Sequence, residues 1–265
     1  MKIKTVLSEI DQNEVSVKMF TDFIIKTFDT SGKTLYDKRN IIKSFAPDDT
    51  NNLHKELIVK RFKCPNLFQR IVYTFFRSSK AERAFYNAKE LRGRGVKTPR
   101  EIAYIEQFKN GMLKYGYFIS EADYSHPVTE ELVDKQEFNK VMADCFAAFA
   151  AELHLKGVLH QDLNRTNVLF QPTSDGRYTF SLIDNNRMKF VPEGETVPLN
   201  TCLENLTRFT FRMDLFEYVI REYLRVRSLP ETLMKQAIAV KLRYNRARTR
   251  RKRFFKIFKK RKATP

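Results

Sequence analysis

The stretch that decides the fold is His160-Gln161-Asp162-Leu163-Asn164-Arg165-Thr166-Asn167. It stands between a segment with helical periodicity and two short strand-like runs, and Leu182-Ile183-Asp184 comes at the end of those runs. Phosphoryl transfer accounts for this order, because an aspartate on a loop after a helix can accept the proton of an acceptor hydroxyl. The asparagine five residues later and the aspartate beyond the strands can hold a metal that bridges to phosphates. Mg²⁺ prefers such oxygen donors, so the sequence predicts a Mg²⁺-dependent phosphotransferase.

The periodicity of the N-terminal half predicts an antiparallel sheet. Turn signals at 30–32 and Asn110-Gly111 separate strand-like runs, and one helix at 79–91, capped by Ser78 or Ser79, is inserted after the third run. The five predicted strands span 16–27, 40–45, 56–62, 101–108 and 113–121, with a polar loop at 48–52. This half is therefore expected to be a five-stranded antiparallel sheet plus one helix.

The second half changes to helical periodicity. Apolar residues recur at helical spacing over 134–156, where Gly157 follows as a C-cap, and again over 209–226 and 231–250. Short strands at 168–170 and 178–183 form a predicted hairpin. The class is thus α+β with two lobes. The predicted divisions are an N-lobe at 1–123, a mainly helical C-lobe at 124–240 and a basic tail at 241–265.

The deciding stretch resembles the HxDxxxxN catalytic loop of the protein-kinase-like phosphotransferases. This resemblance implies a bilobal protein-kinase-like fold with Asp162 as the catalytic base and His160 as a brace of the loop. It also implies that Asn167 and Asp184 are the Mg²⁺ ligands. Asn164 stands where protein kinases usually carry a lysine, and we count it among the nucleotide-binding candidates.

The N-terminal half supplies the nucleotide-binding candidates that the resemblance requires. Leu57-Ile58-Val59-Lys60 resembles the third strand of kinases, so Lys60 is expected to contact the ATP phosphates; Lys63, on the other face of the strand, is the alternative. Glu82 is the expected partner of Lys60 on the inserted helix, although it could instead be an exposed acid paired within that helix. Glu121 and Asp123 lie where kinases contact adenine, mainly through backbone groups.

Several features differ from those of regulated protein kinases. The first hairpin lacks GxGxxG, Asp184 is followed by Asn-Asn, and about ten residues separate that site from the next helix, which leaves little room to dock a peptide. The chain resembles the lipopolysaccharide core kinases, the Kdo and heptose kinase family of Gram-negative bacteria, over roughly 35–225. The similar segments are Leu57–Phe62, Lys80–Arg83, Thr98-Pro99, His160–Leu169 and Leu182–Met188. The resemblance implies ATP-dependent phosphorylation of a sugar hydroxyl on an anionic, lipid-linked core oligosaccharide.

The charge is concentrated at the C-terminus. The chain has 49 Lys+Arg against 31 Asp+Glu, a formal net charge of +18, and residues 241–265 hold thirteen of the bases and no acid. Phe254, Phe255, Ile257 and Phe258 interrupt these bases, as in segments that lie on anionic membranes. RNA would suit the same composition, but RNP-type and KH-type motifs are lacking, so a nucleic-acid partner is not expected.

Targeting and cysteine patterns limit the remaining possibilities. Apolar runs fall short of the roughly 20 residues that span a bilayer, and the start of the chain lacks a signal-peptide pattern. Cys64, Cys145 and Cys202 are too scattered to predict a disulfide framework or a zinc site. We expect a cytoplasmic protein held peripherally at the inner membrane by 241–265. Another small-molecule or protein kinase, or a non-catalytic pseudokinase or RNA-binding module, is the alternative.

Overall fold

The computed structural model describes residues 2–8, 14–47 and 55–261, with side-chain positions except at 14–16 and 255–261. The predicted loop at 48–52 lies outside the described residues, as do the predicted contributions of Phe255, Ile257 and Phe258. Two compact units comprise Met1–Tyr124 with Ser181–Arg187, and Ser125–Phe180 with Met188–Pro265. The segment that carries Asp184 therefore belongs to the first unit, whereas the sequence division placed it in the C-lobe.

The first unit is built on an antiparallel sheet. Within the described ranges the sheet has six strands, in the order β1-β5-β6-β4-β3-β2. These strands are β1 (Lys2–Leu7), β2 (Lys33–Asp37), β3 (Ile41–Phe45), β4 (Leu57–Phe62), β5 (Glu101–Lys109) and β6 (Met112–Glu121). The strands predicted at 40–45, 56–62, 101–108 and 113–121 are confirmed. The count of five is wrong, because β1, which pairs with β5, and β2, which pairs with β3, were not predicted, and the run at 16–27 is not part of the sheet.

Helices of the first unit account for a second correction. In the described part of this unit there are three helices, α1 (Glu14–Thr27), α2 (Leu67–Phe75) and α3 (Lys80–Gly93), where the sequence predicted one. The strand predicted at 16–27 is wrong, since α1 occupies it. Thr21 and Ile24 are buried in α1 and Phe28 is buried directly after it, and a spacing of three to four residues is helical. The predicted helix is α3, and Ser79 caps it by accepting a hydrogen bond from the Glu82 amide at 3.1 Å.

The second unit is mainly helical, as predicted. Its α-helices are α4 (Lys140–Leu155), α5 (Leu199–Leu206), α6 (Met213–Val226) and α7 (Leu233–Arg261). Its strands are β7 (His126–Pro127), β8 (Val158–His160), β9 (Val168–Pro172) and β11 (Met188–Phe190). Strand β10 (Tyr178–Leu182) begins in this unit and ends in the first one. The helix predicted from 134 begins later, because Asn139 caps α4 and 129–134 form a separate π-helical turn. Helix α7 continues past the predicted end at 250 into the basic tail.

Aromatic packing fixes α4, the helix that leads into the deciding stretch. Its Phe146 ring lies 4.9 Å from the Phe209 ring and 5.8 Å from the Phe180 ring, measured between centroids. After the left-handed Gly157, β8 runs to His160 and pairs with β11. The stretch is therefore tied at its start to both a packed helix and a strand pair. Across the described residues, helices long and apolar enough to cross a membrane are lacking.

Candidate active site

Asp162 lies on a tight loop that leaves β8. Its backbone N–H donates to Nδ1 of His160 at 3.1 Å, which makes Nδ1 an acceptor and places the neutral ring's proton on Nε2. The His160 side chain is fully buried, and through this hydrogen bond it supports the loop from the protein interior. Asp162 itself is only partly buried and accepts at Oδ1 from Asn164 Nδ2 at 3.2 Å. A half-exposed, oriented carboxylate is what a general base requires.

Asn167 is held from the same loop. Its Nδ2 donates to the backbone oxygen of Asp162 at 2.9 Å, and its own N–H donates to the Asn164 oxygen at 3.0 Å. Because the amide nitrogen is committed to a carbonyl, Oδ1 is the atom that Asn167 can offer to a cation. This is the orientation that the predicted role of a metal ligand needs.

The Asn164 side chain has a local structural use. Besides donating to Asp162, it accepts at Oδ1 from the Thr166 amide at 2.9 Å and from the Thr166 hydroxyl at 2.6 Å. These contacts close the turn between Asp162 and Asn167. The contact with nucleotide that the sequence suggested for Asn164 stays a prediction.

Three helices support the loop through a buried polar chain. Asn205, on α5, donates from Nδ2 to the backbone oxygen of His160 at 2.8 Å. Its Oδ1 lies 3.1 Å from Nε2 of His154, on α4, and Nδ1 of that ring lies 2.9 Å from the Tyr223 hydroxyl, on α6. These hydrogen-bonded residues were not predicted from the sequence, because they are far apart along the chain and belong to no motif.

The buried His154 makes the free energy of unfolding depend on pH. Burial lowers its pKa to about 4, below the ordinary value of 6.5. The neutral ring is therefore favoured in the folded state, so its contribution is complete above pH 6.5 and is lost as the pH falls through 4. We expect wild-type protein to lose roughly 3 kcal/mol of unfolding free energy over that range, and His154→Gln to lose much less. Urea unfolding at several pH values measures the difference. His126→Gln, at an exposed histidine, should keep the wild-type slope; an equal slope in His154→Gln would refute the assignment.

In the first unit, β4 presents Lys60 to Asp184. The Lys60 Nζ donates to Oδ1 of Asp184 at 2.6 Å, and Asn186 Nδ2 donates to the same oxygen at 2.5 Å. The structure thus brings together two residues that the sequence selected from positions 124 apart. Asp184 has a φ of 60°, in the left-handed region where aspartate and asparagine are among the few non-glycine residues found.

Side chains of the first unit fix the backbone on both sides of Asp184. Thr98 Oγ1 donates to the Leu182 oxygen at 2.8 Å and accepts from Asn185 Nδ2 at 2.7 Å. Asn87, on α3, donates from Nδ2 to the Asn185 oxygen at 2.6 Å. The sequence analysis noted Thr98-Pro99 only as a segment similar to the family, and it did not predict this support from Thr98 or from Asn87. These bonds hold Asp184 in its uncommon backbone conformation.

The predicted pairing of Glu82 with Lys60 does not hold in the structure. Glu82 accepts at Oε1 from Lys4 Nζ at 3.1 Å and from the Tyr104 hydroxyl at 3.3 Å. Burial alone would raise the pKa of Glu82, but hydrogen bonds from Lys4 and Ser78 outweigh it and lower that pKa. The sequence analysis could not identify Lys4 as the partner of Glu82, because Lys4 lies on β1 and that strand was not predicted.

The side of α3 near Asp184 carries cations instead of a carboxylate. Burial, followed by the charges of Arg39, Arg187 and Arg83, lowers the pKa of Lys80, while Asp184 opposes this effect. The Arg83 Nε and Nη1 atoms are buried and make no hydrogen bond to the described residues. Such an arrangement favours binding of an anion, and phosphate is a suitable one.

Glu121 and Asp123, the candidates for adenine contact, have protein partners. Glu121 accepts from Lys55 Nζ at 2.7 Å, and Asp123 accepts from the Ser181 hydroxyl at 2.7 Å. The backbone N–H groups of Glu121 and Ala122 donate to the Arg100 and Glu56 oxygens. Contact with nucleotide at this segment stays a prediction.

The oxygen donors of the candidate residues are of the type that Mg²⁺ binds. The Asn167 amide oxygen and the Asp184 carboxylate are hard ligands, which Mg²⁺ takes in small number together with water and substrate phosphates. Groups of three or more His, Cys, Asp or Glu suited to a metal do not occur in the described part of the chain. The roles of Asn167 and Asp184 as metal ligands stay predictions.

Comparison with known proteins gives the class and then the family. The fold resembles that of the solved structure "WaaP in complex with acyl carrier protein", with a TM-score of 0.58, 14% identity, and coverage of 92% of this chain and 97% of that one. The predicted protein-kinase-like α+β class is thereby confirmed. A model of the lipopolysaccharide kinase (Kdo/WaaP) family matches residues 48–193, more than half of the chain. The chain belongs to this family, and it is a kinase. Curated proteins give no match.

Proposed function

We propose that the protein transfers phosphate from ATP to a sugar hydroxyl, on Kdo or heptose, of the lipopolysaccharide core. The observation that carries the proposal is the family match over 48–193, which includes Lys60, the catalytic stretch and Asp184. Intact base, lysine and metal-ligand positions favour catalysis over a scaffold role.

Asp162 is the proposed base. Its Oδ1 is oriented by Asn164, and its backbone is fixed by His160 and Asn167, so the carboxylate needs little reorganisation to receive a hydroxyl proton. His160 is in turn fixed by Asn205. Precise placement matters because phosphoryl transfer depends mainly on positioning and electrostatic stabilisation.

Lys60 and Asp184 are the proposed contacts to the phosphates and the metal. Lys60, which pairs with Asp184 at 2.6 Å, would neutralise phosphate charge. Asn167 and Asp184 would hold Mg²⁺, which when bound supplies further neutralisation of that charge. Lys80, which interacts electrostatically with Asp184, adds positive charge near it, and this supports the placement of an anionic substrate there.

The basic tail is the proposed contact with an anionic membrane. Helix α7 extends to Arg261, and its consecutive bases Arg250, Arg251, Lys252 and Arg253 are exposed. Bases near a membrane surface each contribute about 1 kcal/mol of attraction to anionic lipid. A cytoplasmic enzyme held peripherally at the inner membrane would meet a lipid-linked acceptor there.

The test is turnover of ATP and Mg²⁺ against Kdo-containing and heptose-containing acceptors, with water and a mixed peptide library as controls. We expect phosphate transfer to a sugar, identified by mass spectrometry of the acceptor. Hydrolysis alone, or transfer to peptides only, would contradict the proposal.

A further inference from the structure

Helix α2 presents an apolar face to solvent. Five large apolar side chains of this helix and its C-cap are exposed: Leu67 (63%), Phe68 (74%), Ile71 (40%), Phe75 (69%) and Phe76 (81%). At about 100° per residue, the first four span an arc of about 100°. Helix α2 contains no buried residue. A soluble surface helix ordinarily buries such a face, so this orientation calls for a partner.

The polar side of α2 is the side that is anchored to the protein. Arg70 donates from Nε to the Leu113 oxygen at 2.9 Å and from Nη2 to the Lys109 oxygen at 3.2 Å. Thr74 accepts at Oγ1 from the Leu113 amide at 3.1 Å, and the Arg83 guanidinium lies 5.8 Å from the Tyr73 ring centroid. Hydrogen bonds to the β5–β6 hairpin therefore hold the helix with its apolar face outward.

The surroundings of this face are positively charged. Residues 64–81 contain three Lys/Arg and no acid, and the hairpin at 107–120 contains two Lys and no acid. Arg77 and Lys109 are exposed beside the helix. An apolar stripe with flanking bases is the composition of helices that lie in an anionic lipid interface.

We propose that the apolar face of α2 inserts into the surface of an anionic bilayer. The flanking positive charge favours lipid over a second copy of the chain, because two such faces would repel each other. The face is a single convex helix, which suits the yielding headgroup region better than a rigid protein surface. This contact is separate from the α7 tail, and it does not depend on which acceptor the enzyme uses.

The first test is binding of full-length protein to vesicles of phosphatidylglycerol and phosphatidylcholine. Phe68→Ser combined with Phe75→Ser should weaken binding about tenfold or more, because two rings no longer leave water. The matched control is Met19→Ser combined with Leu155→Ser, which removes apolar side chains of similar exposure, 63% and 61%, from other helices. The control should bind like wild type.

The second test uses the absence of tryptophan from the sequence. A single tryptophan in Phe68→Trp reports only on α2, and its emission should shift to the blue and be quenched by brominated lipid when vesicles are added. Leu155→Trp should show neither change. The emission reports insertion of α2 directly and does not depend on a change in vesicle affinity.

Several outcomes would overturn the proposal. Unchanged vesicle binding by the serine variant, or unshifted emission from Phe68→Trp on bound protein, would exclude insertion of α2. A wild-type dimer that the serine variant converts to monomer, seen by light scattering, would assign the face to a second copy.

Replacing Arg250, Arg251, Lys252 and Arg253 by Gln tests the tail in parallel. Normal transfer to a soluble acceptor by the serine variant would show that the kinase proposal stands independently.

Discussion

Replacing Asp162 by asparagine is expected to lower the rate of phosphoryl transfer by about 10²- to 10⁴-fold, the contribution of a positioned general base. An asparagine has the same shape and can still accept at Oδ1 from Asn164, which now donates at 3.2 Å. The backbone bonds of residue 162 to His160 and Asn167 do not involve the carboxylate. The loss should therefore be chemical, with the thermal midpoint nearly unchanged. Steady-state turnover and a melting curve on the same sample measure both.

The matched control for that experiment is Asp22→Asn, which removes a half-exposed carboxylate on α1. It should retain wild-type turnover. If Asp162→Asn turns over within about twofold of wild type, Asp162 is not the base. A large drop in the melting midpoint of Asp162→Asn would instead give the carboxylate a structural role.

Lys60→Met is expected to lower kcat/KM for ATP by about 10²- to 10³-fold, the usual cost of removing a preorganised group that stabilises transition-state charge. Its Nζ is positioned by Asp184 at 2.6 Å, and its side chain is only 14% exposed, so water screens its charge weakly. Methionine preserves the length and apolar part of the side chain. Initial rates over a range of ATP concentrations separate the effects on kcat and KM.

Two variants decide whether Lys60 is the correct lysine. Lys63→Met removes an exposed charge that directly follows β4, and it should change kcat/KM less than about twofold. Glu82→Gln should cost no more than about fivefold, because Glu82 pairs with the half-exposed Lys4. If Lys63→Met is the damaging change, the sequence alternative is correct. If Glu82→Gln equals Lys60→Met, a pairing of Glu82 with Lys60 forms during catalysis.

Four of the six strands were predictable from the sequence because they carry strong local signals, whereas β1 and β2 were not predicted. The turn between β5 and β6, for example, has left-handed residues at Asn110 and Gly111, as the Asn-Gly pair predicted. Helix α1 was mistaken for a strand because its valine, phenylalanine and isoleucine residues favour strands by type. Their spacing, which puts Ile24 and Phe28 in the core, was the better guide. Helix α2 escaped detection because its apolar side faces outward and so does not follow the usual core pattern.

The candidate residues could be chosen from sequence motifs, but the partners of these residues could not. Asp162, Asn167 and Asp184 were selected because their offsets match a known catalytic pattern, and their roles stay predictions. Glu82 was given the wrong partner, since its contact with Lys4 depends on a register between β1 and β5 that local sequence does not encode. Asn205 and His154 were missed for the same reason, because they act through space and have no motif.

The left-handed backbone at Asp184 limits which substitutions can remove the proposed activity during evolution without straining the fold. At a φ of 60°, asparagine and glycine cost little, whereas most other residues are strained. A single base change from an aspartate to a glycine codon would remove the proposed metal ligand without straining the backbone, although it would also remove the ion-pair partner of Lys60. If Asp184 has the proposed role, one such change would give an inactive protein with the same architecture, and the residue at this position would then indicate activity better than overall similarity does.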